Sequence, residues 1–88
     1  MNTYPLTISS PDGNLYKAPA SSLILRGAEG ELAILAGHVP FTTSVVPCTV
    51  RITTEDGTER TGKTEGGSLT GSPAGVVLLS GSFQFVEE

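Results

Sequence analysis

Residues 41–57 read Phe-Thr-Thr-Ser-Val-Val-Pro-Cys-Thr-Val-Arg-Ile-Thr-Thr-Glu-Asp-Gly. Two runs rich in β-branched residues, 41–46 and 49–54, flank Pro47-Cys48. Side chains branched at Cβ lose rotamers in a helix and fit the pleated surface of a strand. In the second run Val50 and Ile52 point one way while Arg51 and Thr53 point the other, which is the period of a half-buried strand. Asp56-Gly57 then signals a hairpin, because glycine reaches the positive φ that tight turns require. The stretch predicts strand, break, strand and hairpin, with the hairpin's second arm over residues 58–63.

The same pattern continues in both directions. Toward the N-terminus, Leu32-Ala33-Ile34-Leu35 is a short apolar run that ends at Gly37-His38-Val39-Pro40. Gly27-Ala28-Glu29-Gly30-Glu31 separates it from a buried-strand candidate at residues 21–26. Leu15-Tyr16-Lys17-Ala18-Pro19 reads as another strand. Before it, Pro11-Asp12-Gly13 supplies turn chemistry: proline presets φ, aspartate bonds its own backbone and glycine accepts positive φ. Residues 4–8 alternate, with Tyr4, Leu6 and Ile8 on one face. Toward the C-terminus, Gly66-Gly67 precedes a strand around residues 68–70, and residues 71–75 form a turn. Residues 75–80 are the most apolar strand and residues 83–86 the last. About nine or ten short strands with closely spaced turn signals predict an all-β sandwich or barrel with essentially no helix.

Composition agrees with this assignment. Glycine, proline, serine and threonine account for 11, 6, 9 and 11 of the 88 residues, so turns are dense and strong helix formers scarce. The net charge is -4, and the five basic residues, Lys17, Arg26, Arg51, Arg60 and Lys63, are scattered along the chain. No basic cluster is present to displace counterions from a phosphate backbone, so nucleic acid is not an expected partner. Cys48 is the only cysteine, which excludes an internal disulfide and any cysteine-cluster zinc site. It is expected to be a small, partly buried filler. No apolar run approaches the ~20 residues of a membrane-spanning helix.

Catalytic signals are weak. His38 is the lone histidine, with no second ligand type beside it. Glu29 and Glu31 stand two apart in a glycine-flanked loop, where a carboxylate pair is more often solvated than catalytic. No nucleophile elbow and no lysine-bearing phosphate loop occurs. These residues predict a binding or structural module with no cofactor and no metal site.

The segment Gly27-Ala28-Glu29-Gly30-Glu31-Leu32-Ala33-Ile34-Leu35-Ala36-Gly37-His38-Val39-Pro40 closely resembles the signature of the ε subunit of F-type proton-translocating ATP synthases, G-x-x-G-E-[FL]-G-I-L-P-G-H-A-P-L. Four more stretches resemble the family in register: Leu6-Thr7-Ile8-Ser9-Ser10-Pro11-Asp12-Gly13, Val46-Pro47-Cys48-Thr49-Val50-Arg51-Ile52, Glu65-Gly66-Gly67-Ser68-Leu69 and Gly75-Val76-Val77-Leu78-Leu79. Ala36 replaces the usual proline, Cys48 a glycine and Ser68 a large apolar residue. The resemblance implies a flattened β-sandwich of about ten short strands over residues 1–88 as a single domain. The helical hairpin that typical members carry after this domain is not found in residues 1–88.

The implied role is mechanical. The resemblance makes the chain a non-catalytic rotor subunit of the central stalk, binding the γ subunit and resting on the membrane c ring, so that proton-driven rotation reaches the catalytic head. It implies Glu31 as the charged contact to the ring's polar loops, with His38 and Glu29 beside it. The γ-facing surface is expected to be a more apolar face or edge of the sandwich. The expected location is the cytoplasmic face of a bacterial inner membrane, held peripherally through the complex, with the chloroplast thylakoid as the secondary choice. Two other readings stay open: a free-standing β-sandwich binding module outside any synthase, and, far behind it, a small hydrolase using His38 with Glu29 or Glu31.

Overall fold

Nine strands are present in a computed structural model that describes residues 2–37 and 40–86. They are β1 (Tyr4–Ser10), β2 (Gly13–Gly27), β3 (Gly30–Leu35), β4 (Phe41–Val45), β5 (Cys48–Thr54), β6 (Glu59–Thr64), β7 (Gly67–Ser72), β8 (Gly75–Leu79) and β9 (Gln84–Phe85). No helix occurs among the described residues.

The two strands expected at residues 15–19 and 21–26 are one continuous strand, β2. A register shift between Ala20 and Ser22 bends it. A bulge of this kind turns a strand without ending it, and it divides the pairings of β2. The first half pairs with β1, from Ser10↔Gly13 to Tyr4↔Ala20. The second half pairs with β3 on one side and β5 on the other. Counting the two halves separately gives ten strand segments.

The result is two layers joined through β2. One layer runs β2 (first half)–β1–β8–β7–β4, and the other runs β3–β2 (second half)–β5–β6–β9. All pairings are antiparallel except β1 with β8, where Leu6 faces Val76 and Ile8 faces Leu78. A single pairing, Gly27↔Val45, ties β4 back to the end of β2.

Alternation places the core between the layers. Tyr4, Leu6, Ile8, Val45, Leu69, Val76 and Leu78 enter from the first layer. Leu23, Leu25, Ile34, Val50 and Ile52 enter from the second, and Ala20 sits at the bend. The Tyr4 hydroxyl donates to the Ile34 carbonyl at 2.7 Å, linking the layers through a buried polar contact. Burial pushes the Tyr4 phenol well above its ordinary pKa. Thr64 and Ser80 share a buried hydroxyl hydrogen bond of 2.7 Å. No buried side-chain polar atom is left without a partner among the described residues, as a small core requires.

Gly71 and Gly67 are among the glycines that close packing requires. A Cβ on Gly71 would fall 2.1 Å from the Phe41 ring, which lies across it from the neighbouring strand. A Cβ on Gly67 would fall 2.0 Å from the Leu79 carbonyl oxygen. The Asp56-Gly57 hairpin forms as expected, with Gly57 at φ 89°.

Candidate functional site

Of the three residues assigned to ring contact, the structure describes Glu29 and Glu31. Glu29 occupies the turn between β2 and β3, where Gly27↔Gly30 closes the hairpin, and it is exposed. Glu31 lies on β3 opposite Arg26 and points outward. His38 lies outside the described residues. Both glutamates thus project from one tight hairpin. Among the described residues, no group of His, Cys, Asp and Glu is gathered closely enough to hold a metal ion.

The apolar run of β8 produces a feature that periodicity did not reveal. Val76 and Leu78 enter the core, while Val77 and Leu79 remain 37% and 50% exposed. The register then fixes what surrounds them. One row across the outer face of the first layer is Thr7–Val77–Thr70–Thr42, and the next is Ser9–Leu79–Ser68–Ser44. No charged residue and no histidine occurs anywhere on β1, β4, β7 or β8. Lys17, opposite Thr7 on the first half of β2, borders this face.

The opposite layer has a different surface. Its outer face carries Glu31, Ala33 and Leu35 from β3, Ile24 and Arg26 from β2, Thr49 and Arg51 from β5, and Lys63 from β6. All the chain's strand charges lie on β2, β3, β5 and β6. A sandwich with a charge-free β1–β8–β7–β4 face bordered by Lys17 on one side and a charged face on the other can meet two chemically different surroundings at once. Sequence reading missed Val77 and Leu79 because a continuous apolar run does not tell which alternate residues face out.

Cys48 is half-buried, as expected, at the start of β5. Its sulfur accepts from the Arg26 N–H at 3.4 Å. At the far hairpin, the Asp56 carboxylate accepts from the Thr54 hydroxyl and from the Thr58 N–H, the latter at 3.0 Å. The Thr54 bond first, then the Thr58 bonds, lower the Asp56 pKa to about 2. Arg60 stacks 3.9 Å over the Phe85 ring and 5.8 Å from the Tyr16 ring, closing the edge of the sandwich by β9. These contacts are structural and bring no reactive groups together.

Residues 3–85 match the family described as ATP synthase, Delta/Epsilon chain, beta-sandwich domain. The ATP synthase epsilon chain, sodium ion specific, of Acetobacterium woodii is 36% identical over 86 residues, 98% of this chain and 65% of the relative. Among solved structures, a chain of the Euglena gracilis mitochondrial ATP synthase (OSCP/F1/c-ring, rotational state 1) aligns with a TM-score of 0.89 at 24% identity. That alignment covers 98% of this chain and 55% of the other. A chain of the Tetrahymena thermophila mitochondrial ATP synthase central stalk and c ring gives 0.76 at 13% identity, covering 94% and 66%. At these identities the structural likeness establishes the fold alone. The chain spans 65% of the length of the Acetobacterium relative and 55% of the Euglena chain.

Proposed function

Since this chain belongs to the family of the ATP synthase Delta/Epsilon chain beta-sandwich domain, we propose that it is a non-catalytic central-stalk subunit of an ATP synthase. In this reading residues 1–88 act as one β-sandwich unit that links the γ subunit to the membrane c ring, so that ion-driven rotation is transmitted to ATP synthesis. The observation that carries the proposal is the charge-free outer face of β1–β8–β7–β4 with Val77 and Leu79 exposed at its centre. A face without charges can be dehydrated by a partner without stranding an ion, and short serine and threonine side chains lose little rotamer freedom on contact. Four strands at ~4.8 Å by five residues at ~3.4 Å give roughly 330 Å² in projection. A stable interface takes ~800 Å² from each partner, so this face supplies the centre of the γ contact and its borders, including Lys17 and the exposed Leu15, supply the rest.

The ring contact is assigned to the β2–β3 hairpin. Glu29 and Glu31 project from it into solvent and are free to orient against basic polar loops. Exposed pairs of this kind guide docking more than they strengthen it, and they weaken as salt rises. His38, seven positions after Glu31 in the sequence, is kept in the proposal as their neighbour. The coupled ion is proposed to be the proton, although the Acetobacterium relative carries the sodium designation in its name. The subunit is proposed to sit peripherally at the cytoplasmic face of a bacterial inner membrane, held there by the complex.

The test is assembly with partners. The chain should co-purify with the γ subunit of its own synthase, and Glu31→Cys should crosslink to a cysteine placed in the ring's polar loop. γ binding without any crosslink from residues 29 or 31 removes the ring assignment. Loss of γ binding by a folded chain favours the free-standing binding module instead.

A further inference from the structure

The outer face of the second layer has its own chemistry, distinct from that of the γ-facing side, with Glu31 of the proposed ring contact at its corner. Three of the five basic residues, Arg26, Arg51 and Lys63, share this one face of an acidic protein. Each sits between buried neighbours on its strand and therefore points outward: Arg26 beside Leu25, Arg51 between Val50 and Ile52, Lys63 between Gly62 and Thr64. The register links them. Ile24 pairs with Arg51, Arg51 with Thr61, and Thr49 with Lys63. Among the described residues none of the three side chains has an ion-pair partner, although Glu31 lies across from Arg26. Arg26 and Arg51 line a polar hollow of about 370 Å³ together with Glu31, Thr49 and Cys48. Beside these cations lies an apolar strip, with Leu35 (57% exposed), Ala33 and Ile24 on adjacent strands.

We propose that this face docks an acidic amphipathic helix of a partner protein, with its carboxylates over Arg26, Arg51 and Lys63 and its apolar side chains over Leu35, Ala33 and Ile24. The cationic and apolar halves lie side by side across about three strand spacings, ~14 Å, close to the ~10–12 Å width of a helix with its side chains. A helix with one acidic and one apolar stripe matches both halves at once. Charge complementarity selects the sign, and two arginines suit carboxylates because the guanidinium fork can bond both oxygens. A membrane surface fits less well. Recognition of anionic lipid takes clusters of roughly four to eight cations, whereas this face has three.

The experiment is an NMR titration of the isotopically labelled chain with three probes. One is a synthetic helical peptide with glutamates on one face and leucines on the other. The second is the same composition scrambled to lose the faces. The third is vesicles of equal parts phosphatidylcholine and phosphatidylglycerol. The amphipathic peptide should shift the amides of Ile24, Arg26, Thr49, Arg51 and Lys63. Arg26→Glu with Arg51→Glu should weaken it at least ~10-fold, while Asp12→Lys in the exposed β1–β2 turn, outside the face, leaves it unchanged. Spectral dispersion confirms that each variant is folded. Absence of shifts, shifts confined to β1–β8–β7–β4, equal binding of the scrambled peptide, or binding to vesicles alone each overturn the proposal. The double variant should still bind γ, so failure of this inference and failure of the proposed function remain distinguishable.

Discussion

Replacing Leu79 by aspartate tests whether the charge-free face is the docking surface. Leu79 sits in the second row of that face between Ser9 and Ser68, with half of its surface exposed. Full burial of a leucine contributes about 1.5–3 kcal/mol, so covering the exposed half contributes about 0.7–1.5 kcal/mol. Leu79→Ala should therefore weaken γ binding roughly three- to tenfold. Leu79→Asp loses that term and also places a carboxylate in a dehydrated contact where none of the neighbouring strands offers a cation. Stranding it adds about 2 kcal/mol or more. The sum, about 3 kcal/mol, corresponds to a loss of roughly a hundredfold. The side chain points away from the core, so folding stability should change by about 1 kcal/mol or less, and the melting temperature by no more than ~8 °C. The assay is calorimetric titration with the purified γ subunit, with Thr58→Asp in the distant β5–β6 turn as control. A Leu79→Asp variant that melts normally and binds γ with unchanged affinity would refute the assignment of this face.

Three further outcomes follow from the geometry. Gly67→Ala should cost about 3 kcal/mol or more, because its Cβ meets backbone atoms of Leu79 that cannot swing aside; a drop in melting temperature of less than ~4 °C would contradict that packing. Tyr4→Phe should cost about 1–3 kcal/mol in urea unfolding at an unchanged m-value, since the Ile34 carbonyl loses its buried donor. Asp56 has a folded pKa lowered to about 2, so its stabilising effect is present above the unfolded value of 3.8 and is lost as pH falls from there through 2. Asp56→Asn should flatten that part of the stability-against-pH curve, and an unaltered acid limb would exclude this carboxylate as its source.

The all-β class was legible because its causes are local. Period-2 alternation at Tyr4, Leu6 and Ile8 and at Val50 and Ile52 identified inward residues that the structure buries. The turns at Pro11-Asp12-Gly13 and Asp56-Gly57 fell where glycine at positive φ permits a reversal. The family was legible for a related reason. The Gly27 to Pro40 signature is a contiguous string that needs no knowledge of pairing, and the match over residues 3–85 bears it out. Local chemistry failed where a strand continues through a bend. Residues 15–19 and 21–26 read as two strands, yet β2 passes through Pro19, which pairs with Pro5, and continues beyond the bend at Ala20.

What only the tertiary structure decided was which residues become neighbours. Val77 and Leu79 are flanked by Thr7 and Ser9 from 70 positions earlier and by Thr70 and Ser68 across a hairpin. Arg26, Arg51 and Lys63 share a face only because β2 turns at Ala20 and leaves β1 for β5. The charges look evenly scattered along the chain because the strands of the two layers alternate irregularly in sequence. Alternation tells each strand that it has an inside and an outside. Which outsides adjoin depends on long-range pairing, and that is settled when the strands close around a shared core of Leu6, Leu23, Ile52 and Leu78.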